Sequence, residues 1–374
     1  MIDSAPQTVP GPADIRLKED RARAFLERHG LDALVLGRQD NFAWFTNGGD
    51  NRVVTTSEMG VGWLVVTRDA KRLICHSMDA FRLLDEQTPW QNLEPVVLRW
   101  HEGSMENAAV DLTRGMRICA DFPLPGARLF GREIVDLHYP LTDLEIERCR
   151  WIGHESNRIL VDAAYGLRTG DTERDIAARL LYEYARAGMT IDVLIVGTDE
   201  RISRYRHPMP TGKPLDRYAL LHPAARRWGL HANVSRLVHF GEPPPGLQAT
   251  IDAVRRVGAR VHRMIAPGIR FCDVLDEQKR LYAALGYADE WNLHFQGGIT
   301  GYTLADPGRC LDARETMREN QAYDYFITIT GAKFEELTLL TPTGAEIASL
   351  GAGWPVSEVE SEGEGVLLPD VLIR

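Results

Sequence analysis

The stretch HPMPTGKPLDRYALLHPAARRWGLHANVSRLVHFG, residues 207–241, decides how the chain is read. Two apolar runs, Tyr218–Leu221 and Leu230–Val238, flank a polar turn at Arg226–Gly229, which is the pattern of a β-hairpin. The second run alternates, with Leu230, Ala232 and Val234 on one side and His231, Asn233 and Ser235 on the other. Successive side chains of a strand point to opposite faces, so the polar set is expected to line a cleft while the apolar set packs.

Around this hairpin the chain has 374 residues, more than one core usually holds, so two domains are expected. The formal net charge is −10 and Lys and Arg form no run, which argues against a nucleic-acid or anionic-membrane partner. The start, MIDSAPQTVPGPAD, has no apolar h-region, and no later run approaches ~18 apolar residues, so neither a signal peptide nor a membrane span is expected. Cys75, Cys119, Cys149, Cys272 and Cys310 lie far apart without a CxxC, as scattered thiols in a reducing cytoplasm would.

In chain order, residues 1–12 read as a Pro-rich leader, followed by a helix over 15–28 that stops at Gly30. Strands are expected at 33–36, 61–67 and 72–76, with a helix at 78–86. The segment NFAWFTNGG, 41–49, reads first as a core aromatic cluster of Phe42, Trp44 and Phe45. A domain boundary is placed near Pro140, giving an N-terminal domain over 13–140 and a C-terminal one over 141–374. Thr142 with Glu145 fits a capping box opening a helix to about Ala164, and Thr172 opens another that Gly188 ends. A strand at 190–196, the hairpin, helices at 247–265 and 272–285, and strands at 322–330 and 334–340 complete an α+β order.

At its His-Pro segment and hairpin the chain resembles the superfamily of creatinase, prolidase, aminopeptidase P and methionine aminopeptidase, the pita-bread fold. There a His-Pro segment precedes two strands that carry an aspartate, a second aspartate eleven residues on, and a Thr-Arg pair. Here His207-Pro208 and Ser235-Arg236 match the outer elements, while His222 and Asn233 hold the two aspartate positions. The pieces His207–Thr211, Ala225–Leu230, Arg236–Gly241, Glu290–Gly298, Asn320–Ala322 and Ile329–Glu335 also resemble a divergent branch of unassigned activity. The resemblance covers essentially the whole chain and implies a pita-bread C-terminal domain with a smaller α/β creatinase-type N-terminal domain. It further implies a homodimer acting on a small molecule.

The same resemblance implies five metal ligands, and only one survives. His222, Asn233, Gly297 and Phe326 stand at four of the positions, and Glu335 at the fifth. One certain carboxylate leaves two adjacent dications uncompensated, so no metal and no other cofactor is expected. Creatinase, a relative that cleaves a C–N bond without metal through a histidine and glutamates, supplies the alternative chemistry. His207 matches its catalytic histidine, and a near-neutral imidazole can serve as base and then acid. His207, His222 and Glu335 are therefore the catalytic candidates, with Asn233, Arg236, His294, Gln296 and Tyr323 as candidate substrate contacts. Arg236 is expected to pair with a substrate carboxylate or an internal one such as Glu335, which shares a face with Leu337 and Leu339 if its strand alternates. Glu336 would then point away, Tyr323 and Asp324 would lie on opposite faces, and Lys333 would pair on the rim. Three functions remain open: a metal-independent creatinase-like hydrolase of a small amino-acid-derived or dipeptide-like substrate, a silent pseudo-peptidase that binds a ligand or partner, and a residual Xaa-Pro metallo-exopeptidase.

Overall fold

The computed structural model describes residues 9–306 and 308–374, so most of the expected leader lies outside the described residues. The described chain forms two compact units, one of residues 9–144 with Trp228–Leu230 and one of residues 145–227 with 231–374.

In the first unit, α1 (Pro12–His29) begins with proline at its first position and ends at Gly30, whose φ of 62° is the left-handed cap. Next come β1 (Ala33–Arg38), α2 (Gln39–Phe45), β2 (Met59–Thr67), β3 (Lys71–His76) and β4 (Glu94–Leu98). The unit continues through α3 (Met105–Leu112), β5 (Ile118–Ala120), β6 (Ala127–Leu129) and α4 (Arg132–Val135). The strands form one mixed sheet in the order β4-β3-β2-β1-β5-β6. Phe42, Trp44 and Phe45 are fully buried, as a core cluster should be. The helix expected over 78–86 is instead a π-helical turn at Arg82–Gln87. There the Thr88 hydroxyl donates to the Leu83 carbonyl at 2.8 Å, five residues back, which holds the wide turn open.

The second unit follows α5 (Asp143–Tyr165) with α6 (Glu173–Arg186). Thr172 and Asp175 cap α6 reciprocally, and Gly188 at φ 69° stops the chain just past it. Then come β7 (Thr190–Thr198), α7 (Glu200–Arg204), β8 (Tyr218–Arg227), β9 (Leu230–Asn233) and β10 (Arg236–His239). Trp228 at φ 54° and Gly229 at φ 81° make the tight hairpin turn the sequence implied. Helices α8 (Pro245–Met264) and α9 (Phe271–Ala284) precede β11 (Gly298–Thr300), β12 (Gln321–Asp324), β13 (Ile327–Ile329), β14 (Ala332–Phe334), β15 (Leu337–Thr341) and β16 (Gly344–Ile347). A ribbon of β17 (Val356–Ser361) and β18 (Glu364–Pro369), with β19 (Leu372–Ile373), closes the chain. One sheet runs β19-β10-β8-β7 with β9 on β8, and a second runs β11-β12-β15-β16.

Three strands expected as continuous are broken. The run 230–238 breaks at Val234-Ser235, 322–330 at Tyr325-Phe326, and 334–340 at Glu335-Glu336. Long-range bonds impose each break. Val234 N donates to Pro223 O at 3.2 Å, Ser235 N to Glu335 O at 3.0 Å, and Phe326 N to Gln296 O at 3.1 Å. Simple alternation therefore fails where it mattered most, and Leu230 through Ser235 are buried on both sides. Among the described residues, no helix is long and apolar enough to cross a membrane.

Candidate active site

His207 stands on the loop between α7 and β8, and the residues around it explain the His-Pro-x-Pro-Thr motif. Gly197 on β7 leaves space for Pro208, because a Cβ there would meet the proline ring at 2.5 Å. Thr211 fixes the other end, its N and Oγ1 donating to Glu173 Oε2 at 2.8 and 2.6 Å. Glu173 is fully buried, and its second oxygen accepts from Thr198 N, Thr198 Oγ1 and Arg201 Nε. One carboxylate on α6 thus pins the loop to the end of β7 and leaves His207 exposed. Removing a buried charge that several donors share costs about 3–5 kcal/mol. Glu173→Ala is expected to lower the urea midpoint without changing the m-value, and to lower kcat as His207 loses its support. Wild-type stability and turnover in this variant would contradict the assignment.

His294 reaches the same point from the loop before β11. Its Nε2 lies 2.9 Å from His207 Nε2, with the rings edge to face. His294 Nδ1 contacts the Phe295 carbonyl, which can only accept, so the ring proton of neutral His294 sits on Nδ1. His207 Nε2–H then donates to His294, and His207 Nδ1 is left as a basic nitrogen. Burial and the Lys333 charge lower both pKa values, His294 to about 4. Both rings are neutral at pH 7. Glu290 ties the two loops together, since it contacts Arg206 and accepts from Thr330 N at 3.0 Å.

Behind the histidine pair lies a buried charged centre. Lys333, expected on the rim, is 5% exposed, and its Nζ lies 2.6 Å from Glu335 Oε1. The other oxygen of Glu335 is 3.3 Å from His222 Nδ1, which also lies 3.1 Å from Ser235 Oγ. Burial first, then the charge of Lys333, hold the His222 pKa well below that of ordinary imidazole. Burial pushes Glu335 up to about 7 even with Lys333 opposing it. Of the adjacent pair Tyr323 and Asp324, Asp324 joins this centre. Its Oδ2 accepts from Asn233 N at 3.0 Å, and burial followed by the Glu335 charge raises its pKa well above the carboxylate range.

Three candidate substrate contacts are tied to partners inside the protein. Arg236 is 1% exposed and pairs with Glu336, with Glu335 left to Lys333. Its guanidinium also donates to Ser235 O, Asn157 Oδ1 and Ser349 O at 2.8–3.0 Å and lies over Trp354. Both glutamates are buried because the strand breaks between β14 and β15, which overturns the expectation that Glu336 points away. Gln296 donates to the Trp291 and His294 carbonyls and accepts from Tyr282 OH, so it shapes the loop that presents His294. Tyr323 OH donates to Gln321 Oε1 at 2.6 Å, and its ring packs on Phe271. The structure thus brings together His207, His294, His222, Glu335 and Asn233 of the expected set, and adds Lys333 and Asp324. Lysine is rarely buried without a partner, and Glu335 two residues on was the one signal that could have placed it inside.

The profile of metallopeptidase family M24 matches residues 148–336, half of the chain. The chain belongs to that family. The creatinase/prolidase N-terminal domain profile matches residues 18–119. A curated relative, an uncharacterized peptidase of Staphylococcus saprophyticus, is 23% identical over 203 residues, covering 53% of this chain and 57% of the relative. The match therefore spans a little over half of that protein's length. A solved Xaa-Pro dipeptidase from Bacillus anthracis superimposes with a TM-score of 0.75 at 15% identity, over 96% of this chain and 100% of that one. A dipeptidase from Pyrococcus horikoshii gives 0.76 at 13%, again over 96% and 100%. An X-Pro aminopeptidase from Thermotoga maritima gives 0.69 at 17%, over 93% and 99%. The pita-bread C-terminal domain and the creatinase-type N-terminal domain follow from these matches.

A metallopeptidase family implies metal, and the residues of this chain do not fit it. At the position matched to a ligating histidine, Gly297 has φ +82°, and a Cβ would fall 2.2 Å from the Asp324 carbonyl oxygen. Phe326 fills a position matched to a glutamate and lies 6.0 Å from Lys333 Nζ. The remaining glutamate is already held by an ammonium. Among the described residues, no three His, Cys, Asp or Glu side chains are grouped to hold an ion.

Proposed function

We propose that the protein is a C–N bond hydrolase of a small amino-acid-derived or dipeptide-like substrate, and that Lys333 supplies the positive charge at its centre. The observation that carries this is the buried Lys333–Glu335 pair beside His222, behind the His207–His294 pair. The amide chemistry is supported by the family and by the dipeptidase names of the structural relatives. His207 Nδ1 takes a proton from water as the oxygen attacks the carbonyl carbon. Lys333 stabilises the oxyanion that forms, and His207 returns the proton to the leaving nitrogen as the C–N bond breaks. A homodimer in the cytoplasm belongs to the same proposal.

Two measurements test it together. Turnover should survive exhaustive chelation, and His207→Ala should lower kcat by about 10²–10⁴-fold, the usual worth of a general acid–base group. Below pH about 7 Glu335 gains a proton and no longer balances Lys333, so kcat/KM should fall as pH drops through 7. Glu335→Gln should remove that limb, leaving only the histidine limb below pH 6.5. Loss of activity on chelation, restored by Mn²⁺, would refute the proposal, whereas tight ligand binding without turnover across peptides, amides and guanidino compounds would establish a binding protein.

A further inference from the structure

The groups that the proposed reaction uses come from three separate segments. His207 lies on the loop before β8, His294 follows the short helical turn Glu290–Leu293, and Lys333 follows the turn between β13 and β14. Arg206 and Glu290 join these segments at one point. Arg206 Nη2 pairs with Glu290 Oε2 and donates to Thr330 Oγ1 at 3.1 Å, and the same Glu290 oxygen accepts from Thr330 N at 3.0 Å. Each member stands close in the chain to one reacting group, since Arg206 precedes His207, Glu290 leads into His294, and Thr330 leads into Lys333. The β13–β14 turn is held from its other side as well. Tyr218 OH donates to Gly331 O at 2.9 Å, and a Cβ on Gly331, at φ +102°, would lie 3.3 Å from Ser203 Oγ on α7. Glu173 anchors one side of His207, at Thr211, and Arg206 anchors the other. The clamp is only partly buried, with 21% of the Arg206 side chain and 17% of the Glu290 side chain exposed. Ion pairs of that exposure add little to overall stability, so the effect of this one is local.

We propose that Glu290 is a positioning residue for the reaction: through Arg206 and Thr330 it sets His207, His294 and Lys333 at their working distances. The inference rests on the hydrolytic reading of the same site and adds to it a residue that touches no reacting atom. Without the clamp the segment that carries His294 moves off the loop that carries His207, and the bond between the two rings opens. The tautomer that leaves His207 Nδ1 basic is then no longer fixed.

NMR titration of the histidine rings in the full chain tests it, with Glu290→Ala and Arg206→Met made singly and together. If Glu290 acted on His294 by charge alone, removing its carboxylate would lower the imidazole pKa further. Positioning predicts the opposite sign. His294, held down to about 4 by burial and by Lys333, should titrate above about 5 in Glu290→Ala once its ring leaves that place. The same variant should lower kcat by about 10–10²-fold, the cost of misplaced reacting groups, while melting within a few degrees of wild type. Glu290→Gln, which can still accept from Thr330 N, should fall between Glu290→Ala and wild type in both readouts. The double variant should be no slower than the worse single one, because both substitutions break the same clamp. An unchanged or lowered His294 pKa in Glu290→Ala, or single effects on kcat that multiply in the double variant, would overturn the assignment. The titration needs no substrate, so a raised His294 pKa in a protein that cleaves no amide would keep the clamp and sink only the hydrolysis.

Discussion

Lys333→Met should lower kcat by about 10²–10³-fold, the cost of removing one preorganised electrostatic donor from a reacting oxygen. The substitution keeps the length and apolar stem of lysine and deletes only its charge, so the loss reads out the ammonium. Glu335 is then left 1% exposed without its cation. Breaking a buried pair can cost about 3–5 kcal/mol, but a carboxyl already held near neutrality escapes most of that by taking a proton. Its pKa, about 7 with Lys333 in place, should rise further. The acid limb of residual activity should therefore move to higher pH, which reads out the Lys333–Glu335 pair. Full activity of Lys333→Met in metal-depleted buffer would remove Lys333 from the chemistry, and full activity that returned only with added Mn²⁺ would place a metal there.

Lys333 also marks where the sequence stopped being informative. Whatever depends on neighbours in the chain could be read from it. Gly30 and Gly188 end helices because each adopts a positive φ. Thr172 opens α6 through its own hydroxyl and Asp175. His207-Pro208 and Thr211 could be recognised as a unit, and the structure gives the unit its reason in Gly197 and Glu173. The interior of the site depends on partners 91 to 100 residues away. Asn233 N finds Asp324, Arg236 finds Glu336, and Ser235 N finds the Glu335 carbonyl. These contacts interrupt strands at Val234-Ser235, Tyr325-Phe326 and Glu335-Glu336, none of which contains glycine or proline. A period of two carried through those positions puts Glu336 and Asp324 on the wrong side, and it makes Tyr323 a site residue in place of Asp324.

Gly297→Ala should be among the most damaging single substitutions in the second unit, and it tests whether the old ligand position is open or closed. Gly297 has φ +82°, a conformation that costs a side-chain-bearing residue about 1–3 kcal/mol. A Cβ there would also fall 2.2 Å from the Asp324 oxygen and 2.6 Å from Phe326 N and Tyr325 Cα, all backbone atoms that no rotamer change can move. Relief requires shifting the β12–β13 break and with it the Phe326 N to Gln296 O bond, and overpacking of that kind adds about 1–3 kcal/mol. Gly268 is the matched control, since it has φ +86° with nothing within 4 Å of a Cβ, so its alanine variant bears only the conformational part. The difference in melting temperature between the two variants isolates the close approach, and it should favour Gly268→Ala. Gly297→His, which would restore the family's ligand by residue type, should melt at least as low as the alanine variant and retain no Mn²⁺ on equilibrium dialysis. A stable Gly297→His protein that bound one equivalent of Mn²⁺ would mean that the pocket keeps room for the ion, and Lys333 would then be competing for that place.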